Sequence, residues 1–326
     1  MYPELFEIPF IHRPIHSFGL MMVIGFLAAI FLIRRIGRNI IPDPQLITNA
    51  SLYSLIAGVA GARLFFVVHH FDKLDGGLLS LVAVWRGGLE FYGGVAFALA
   101  VIVLYLWHHK LPIRRCLDIL AIGLMLGLAF GRIGCFLNGC CFGKPTKLPW
   151  GVRFPYGSYV YRSQVDPDPQ RDRRQARIEL PVDFFTYYPG ISSTRILKPY
   201  ADLTETQKKV LKETDKYRSL PVHPTQLYSS ANGAVLCLVL YLLWRRSRYT
   251  GSIRNASRFF TKPGYTFSLA FIFYGITRFY IECLRDDNPF EVAGLTISQI
   301  ISVPLIVAGV VLIAIFHRMK PEESGR

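Results

Sequence analysis

The sequence predicts an all-α polytopic membrane protein with a small extracytoplasmic α+β head insert, and three observations predict it. The 326 residues are 52% hydrophobic yet carry a formal net charge of +15, apolar and basic character that soluble proteins rarely combine. Apolar runs of about 20 residues, the length that spans a bilayer, recur along the chain. The short loops between those runs carry very uneven positive charge, the pattern that orients membrane helices.

The apolar runs lie near Phe18 to Ile36, Leu46 to Val68, Leu89 to Trp107, Leu117 to Leu137, Gln226 to Trp244, Tyr265 to Leu284 and Leu295 to Phe316, which predicts about seven helices. Arg34, Arg35 and Arg38 follow the first run. Lys110, Arg114 and Arg115 follow the third, Arg245, Arg246, Arg248, Arg254, Arg258 and Lys262 the fifth, and Arg318 and Lys320 the last. All four clusters fall on one side, the cytoplasm, so an odd helix count puts the N-terminus outside and the C-terminus inside. The segment Gly143 to Val222 then lies outside; it too is basic, but long loops translocate largely regardless of charge. The first run has its positive charges after it, the reverse of a signal peptide, and is expected to be retained. The six cysteines, Cys116, Cys135, Cys140, Cys141, Cys237 and Cys283, mostly fall within the runs and give no disulfide framework.

The expected organisation is a four-helix membrane block over 1–143, a head insert over 144–222 and a three-helix block over 223–326. Within the insert, Val152 to Arg162 alternates aromatic and β-branched residues and predicts short strands, whereas the charged, proline-bearing Asp166 to Arg174 predicts a loop. Thr204 and Gln207 form a capping-box pattern that predicts a surface helix through Lys208 to Tyr217. Gly123, Gly127 and Gly131 recur every four residues, and Gly58 and Gly61 mark a second small-residue face; such faces let helices approach closely.

Arg132 sits in an apolar helix, in the run Gly131 to Gly143 that reads GRIGCFLNGCCFG, and no acidic residue lies within a helical turn of it. A guanidinium at membrane depth costs several kcal/mol by most estimates, so it is a functional pointer by default. Its planar donors match phosphate oxygens in a bidentate fork, which makes it a candidate for a lipid head group. Arg63 is a second intramembrane arginine, open to function or to reaching the surface. Arg278, Glu282 and Arg285 are spaced four and then three apart, which suits a helix-face ion pair, with Arg278 or Arg285 still able to lend positive potential to a phosphate. The adjacent Cys140 and Cys141 are not expected to bridge each other, and no histidine or carboxylate is spaced to finish a metal site around them.

GRIGCFLNGCCFG followed by Pro149, Trp150 and Gly151, then His223, Pro224, Thr225, Gln226, Leu227 and Tyr228, resembles the bacterial prolipoprotein diacylglyceryl transferases. Gly61 to Arg63, Gly87 to Gly94 (GGLEFYGG) and Gly294 to Leu305 (GLTISQIISVPL) are similar to three further segments of that family, in the family's order, from about residue 16 to 310. The resemblance implies an inner-membrane enzyme, its site toward the periplasmic face, that moves the diacylglyceryl group of phosphatidylglycerol onto a lipobox cysteine thiol. A thioether forms and glycerol phosphate leaves, with no acyl-enzyme, no metal and no cofactor. Its implied partners are phosphatidylglycerol, prolipoprotein lipobox peptides and membrane lipid, not nucleic acid.

Such a reaction needs the charge of the departing phosphate held and a thiol of pKa about 8.5 converted to thiolate. Arg132 answers the first need, with Arg63, Asn138, Gln226, Tyr228 and Arg278 as further substrate-binding candidates. Asn138 also suits capping of the fourth helix. For the base, the family usually has histidine where this chain has Tyr92, and a phenol of reference pKa about 10 is a poor base at neutral pH. Tyr92 is therefore expected to orient a water or a phosphate oxygen, with Glu90 and His223 as alternative bases; His223 equally suits a helix start ahead of Pro224. Phe18, Cys140 and Ser229 stand where the family favours tyrosine, a carboxylate and a carboxylate. Two other readings stay open: another phospholipid head-group transferase, prompted by Asp72, Asp75, Gly76 and Gly77, and a non-catalytic or transporter-like protein on the same scaffold.

Overall fold

The computed structural model describes residues 4–7, 14–38, 40–41, 43–70, 81–82, 88, 90–188, 191–250 and 262–319. Asp72, Asp75, Gly76, Gly77, Arg254, Arg258 and Lys320 lie outside the described residues, as does the side chain of Tyr92. A helix occupies each of the seven predicted windows: α1 (Ser17–Gly37), α2 (Pro44–His69), α3 (Phe91–His108), α4 (Ile113–Asn138), α7 (Thr225–Thr250), α8 (Tyr265–Cys283) and α9 (Ile297–Arg318). Two short helices, α5 (Tyr159–Val165) and α6 (Glu205–Glu213), lie between α4 and α7.

Five of these helices, α1, α2 from Gln45, α4, α7 to Ser247 and α9, are long and apolar enough to cross a membrane, and α3 from Gly93 is a shorter apolar helix. The remaining window, the sixth along the chain, is α8; it carries Arg278 and Glu282 with a run of hydroxyl-bearing residues, Tyr265, Thr266, Ser268, Tyr274, Thr277 and Tyr280, and falls short of that apolarity.

The chain divides into two compact units whose boundaries fall inside α1, α4, α7, α8 and α9. The first comprises Met1–Phe26, Met125–Leu238 and Phe271–Val310, and the second Leu27–Leu124, Val239–Ala270 and Val311–Arg326.

In the first unit the segment after α4 builds its own core from Tyr161, Val165, Ile178, Phe184, Phe185, Leu197 and Leu203. A second cluster, Phe142, Phe154, Val160 and Val222, packs against Phe136 of α4 and so fixes this segment to the helix end. Strands β3 (Phe185–Tyr188) and β4 (Ile191–Leu197) pair antiparallel in a hairpin. The buried Gln164 accepts from the Leu220 amide at 2.9 Å and donates to the Leu220 carbonyl at 3.1 Å, pinning the segment that leads into α7. The stretch 152–162, predicted as strands, contributes only a bridge at Val152; Ser158 then accepts the Tyr161 amide at 3.2 Å and starts α5. The predicted capping box is present, with Thr204 and Gln207 each bonding the other's amide, and α6 follows it before a short 3-10 turn at Asp215–Tyr217. β1 (Glu4–Glu7) pairs with β2 (Pro14–His16), and β5 (Phe290–Val292) with β6 (Leu295–Thr296) at the entry to α9.

The glycine face of α4 meets α1 as the spacing predicts. In the first unit a Cβ on Gly134 would stand 3.1 Å from the Phe18 ring, and one on Gly131 3.3 Å from the Met22 sulfur. In the second unit α2 and α3 pack at backbone range, where Gly61 and Gly93 each face the other's carbonyl oxygen, 2.7 Å from where a Cβ would be. Asp118 of α4 accepts the Gly264 and Phe267 amides at 2.8 Å each and so caps α8, placing a carboxylate where the helix dipole favours it.

Gly61→Ala tests the α2–α3 contact. Its Cβ would also fall 2.5 Å from Phe97, and overpacking of this kind costs about 1–3 kcal/mol. The variant is expected to melt several degrees below the parent in detergent; an unchanged midpoint would contradict the backbone-range packing.

Candidate active site

Arg132 lies six residues before the end of α4, about 9 Å along the axis at the usual helical rise. The helix closes as a Schellman motif: Gly139 takes φ +78, its amide donates to Phe136 O at 3.2 Å, and the Cys140 amide reaches Cys135 O at 3.2 Å. Asn138 is the last helical residue before that glycine and is half-buried. The loop it leads into is held against the start of α7, where Thr225 Oγ1 donates to Cys141 O at 2.8 Å and Gln226 Nε2 to Cys140 O at 2.7 Å. Gln226 is wholly buried, and its Oε1 has no hydrogen-bond partner among the described residues.

Arg132 faces a narrow cleft lined by Leu128, Ser229, Asn232, Gly233, Tyr274 and Arg278 among others. It makes no hydrogen bond and no ion pair among the described residues. Arg278 shares the cleft in a different condition: Nη2 donates to Ser298 Oγ at 2.7 Å and Nη1 stands 2.9 Å from Glu282 Oε2. Glu282 is fully buried and is also met by Arg285 at 3.4 Å, by Thr296 Oγ1 at 3.1 Å and by the Asn288 amide. The ion pair expected from the spacing of Arg278 and Glu282 is therefore present.

Beyond α8 the carboxylates are equally committed. Asp287 binds Arg285 in a bidentate fork at 2.6 and 2.8 Å, and Asp286 is met by Arg177, by Arg173 at 3.4 Å and by Arg171 at 3.9 Å. Burial works against the Arg285 charge, but the Asp287 fork outweighs it and holds the guanidinium above its ordinary range. Each of these carboxylates already has an arginine, and none reaches Arg132. What Arg132 offers is a cation with its donors uncommitted on the wall of a cleft.

His223 sits at the junction of loop and α7, its backbone paired with Gly143 and Lys144, and Nδ1 is 3.3 Å from the Tyr228 hydroxyl. The Tyr228 oxygen accepts from Trp150 Nε1 at 2.7 Å; indole nitrogen only donates, so the phenol and imidazole share the remaining proton, whose side is set by the tautomer. Next to this loop the thiols of Cys135, Cys140 and Cys141 gather within 4.8 Å of one another. Hydrogen bonding from Cys135 and Cys140, aided by the charges of Arg285 and Arg132, holds the Cys141 thiol below the ordinary cysteine range.

The structure thus brings Arg132, Asn138, His223, Gln226, Tyr228 and Arg278 into one unit. Arg63 and Tyr92 belong to the other. Arg63 is buried, and its guanidinium donates to Leu81 O and Gly88 O at 3.0 Å each instead of running out to the surface. Tyr92 stands in the first turn of α3, two residues after Glu90, whose carboxylate is 2.8 Å from His69 Nδ1. Sequence reasoning missed His69, and it missed Asn232 and Tyr274 on the cleft. The last two stand at helical spacing from residues already singled out, Asn232 four after Tyr228 and Tyr274 four before Arg278.

Five helices long and apolar enough to cross a membrane, one of them carrying an arginine on a cleft beside a polar loop, define a multi-pass membrane protein. The sequence matches the prolipoprotein diacylglyceryl transferase family over residues 3–315, and the chain belongs to that family and is a transferase. It is 28% identical to a phosphatidylglycerol--prolipoprotein diacylglyceryl transferase of Rhodospirillum rubrum, covering 98% of this chain and 93% of the relative. Relatives of the same name from Clostridium tetani (27% identical; 95% of this chain and 96% of the relative) and Burkholderia ambifaria (29%; 94% and 93%) match at similar length.

Glu282→Ala removes the carboxylate partner of the half-buried Arg278 and one of the two carboxylates on the buried Arg285; removing one partner of a buried pair typically costs about 3–5 kcal/mol, and here Arg278 is the charge left uncompensated. Its thermal midpoint in detergent is expected to fall well below that of the parent. Retention of the parent midpoint would show that Arg278 and Arg285 do not depend on it.

Proposed function

We propose that this chain transfers the diacylglyceryl group of phosphatidylglycerol to the lipobox cysteine thiol of prolipoproteins, forming a thioether and releasing glycerol phosphate. The observation that carries the reading is Arg132: a guanidinium with no carboxylate partner among the described residues, on a cleft, in a chain of this family. In this reading seven helices span the bacterial inner membrane, with the N-terminus outside and the C-terminus cytoplasmic. Residues 1–143 and 223–326 form the membrane blocks, and 144–222 form an extracytoplasmic head above a site that opens to the periplasm.

The chemistry follows from the residues. The thiolate sulfur attacks the glycerol carbon bearing the phosphodiester, the carbon–oxygen bond breaks, and its electron pair leaves on a phosphate oxygen. Charge grows on that oxygen as the bond breaks, so a cation fixed beforehand stabilises the transition state more than the ground state. Arg132 fills this role, and Arg278, already held by Glu282 and Ser298, adds positive potential without having to move. Asn138, Gln226 and Tyr228 contribute hydrogen bonds at the rim of the lipid site, and Arg63 braces the segment before α3. Tyr92 orients a water or a phosphate oxygen, and His223, within 3.3 Å of the Tyr228 hydroxyl, is the alternative base in this reading.

The test is to incubate the purified protein with phosphatidylglycerol and a lipobox peptide and look for glycerol phosphate together with a peptide heavier by the diacylglyceryl group. Absence of both from a folded sample would sink the reading. Arg132→Ala is expected to lower turnover by at least about a hundredfold while the protein stays folded, in line with the loss of a preorganised charge-stabilising donor. Tyr92→Phe is expected to lower it less; equal losses would make Tyr92 the base or an essential phosphate donor.

A further inference from the structure

Three thiols meet where α4 ends. Cys135 lies one turn after Arg132, Cys140 and Cys141 lie in the loop beyond the helix, and the three sulfur atoms are all within 4.8 Å of one another. The loop does not take this shape freely. Cys141 adopts φ +60, a conformation uncommon outside glycine, and Thr225 and Gln226 of α7 hold the carbonyls of Cys141 and Cys140. No disulfide uses any of the thiols.

The size of the cluster is close to what a thiophilic cation requires. With metal–sulfur bonds of about 2.3 Å, ligands at tetrahedral angles stand about 3.8 Å apart, so closing this set takes at most about an ångström per pair. Thiolate ligands select ions such as zinc and copper(I). Arg132 stands three residues before Cys135 on the same helix face, where its positive charge opposes that of the thiolates. No histidine or carboxylate completes the group among the described residues. Three protein ligands and one remaining position is the pattern of zinc sites that do chemistry, as opposed to closed structural ones.

We infer that Cys135, Cys140 and Cys141 bind a divalent cation of the zinc class, and that its fourth position takes the acceptor thiol. The second half of the inference rests on the transfer reading above. A thiol that coordinates such a cation is deprotonated outright, so the site supplies what a tyrosine at position 92 does not. The acceptor thiol gives its proton to solvent water as its sulfur binds. That sulfur's electron pair then forms the bond to the glycerol carbon, and the pair of the broken carbon–oxygen bond leaves on the phosphate beside Arg132. No oxidant or reductant is needed. The cluster also explains why thiols stand on both sides of the helix end in a segment where Cys140 replaces the family's carboxylate.

The experiment uses the purified full chain, stripped by chelation under reducing conditions and titrated with Zn(II), then with Cd(II) as a spectroscopic probe. The expected result is one zinc retained per chain and a sulfur-to-cadmium charge-transfer band. Both are lost in the Cys135→Ala/Cys140→Ala/Cys141→Ala variant, which keeps Cys116, Cys237 and Cys283. Cys141→Ser, checked for parental helicity by circular dichroism, guards against misfolding of the triple variant and is expected to bind zinc at least about tenfold more weakly. The metal-free enzyme is expected to transfer about a hundredfold more slowly than the zinc-loaded one. Zinc retention no greater than in the triple variant, a disulfide in place of the metal, or undiminished transfer by the stripped enzyme would overturn the inference. Zinc held by the three thiols of a protein that transfers nothing under any loading would instead overturn the transfer reading and leave the thiolate site standing.

Discussion

A guanidinium inside an apolar helix is costly unless its donors meet an anion, and among the described residues of the first unit no carboxylate serves that purpose for Arg132. Glu282 is taken by Arg278 and Arg285, Asp287 by Arg285, and Asp286 by three arginines from the segment between α4 and α7. Had any of these reached Arg132, its donors would be committed within the fold and less free for the phosphate that the proposed function assigns to them. The surrounding ion pairs therefore have two effects. They stabilise the junction between the insert and the end of α8, and they keep Arg132 available.

The same logic accounts for the construction of the helix ends. A loop following α4 must satisfy its backbone groups where water is scarce. The Schellman close at Gly139, the Thr225 and Gln226 bonds to the loop carbonyls, and the bridge between Gly143 and Arg285 supply those partners. The apolar cluster of Phe136, Phe142, Phe154 and Val222 fixes the insert to the helix bearing Arg132. Loop and helix end are thus positioned together, and residues far apart in the chain, such as Cys135, His223 and Arg285, come to border one site.

Local features were legible in the sequence because local physics decides them. Each apolar window became a helix, the Thr204–Gln207 capping box formed, and the spacing of Arg278 and Glu282 gave their ion pair. The failures came where tertiary context or an unread signal decided. Alternating aromatics over 152–162 looked like strands, yet the Ser158 cap and the apolar cluster made a helix of the second half. The hairpin β3–β4 went unread although Pro189 and Gly190, a turn-forming pair, separate its strands in the sequence. Partners 109 or more residues apart, as in Arg177 with Asp286, leave no local trace, and neither did the approach of Cys135 to the Cys140–Cys141 pair. Arg132 stood out because a charge in an apolar run is improbable on energetic grounds alone; the commitment of its neighbours to other partners needed the structure.

The central claim is that Arg132 holds the phosphate of the lipid. Its most direct test is the equilibrium affinity for phosphatidylglycerol of the folded protein and of Arg132→Gln, which keeps a polar, hydrogen-bonding side chain but not its charge. A charge-assisted hydrogen bond contributes about 1.5–3 kcal/mol, so the variant is predicted to bind at least about tenfold more weakly, with the difference absent for a diacylglycerol that lacks the phosphate. Equal affinity of the two proteins for phosphatidylglycerol would contradict the account.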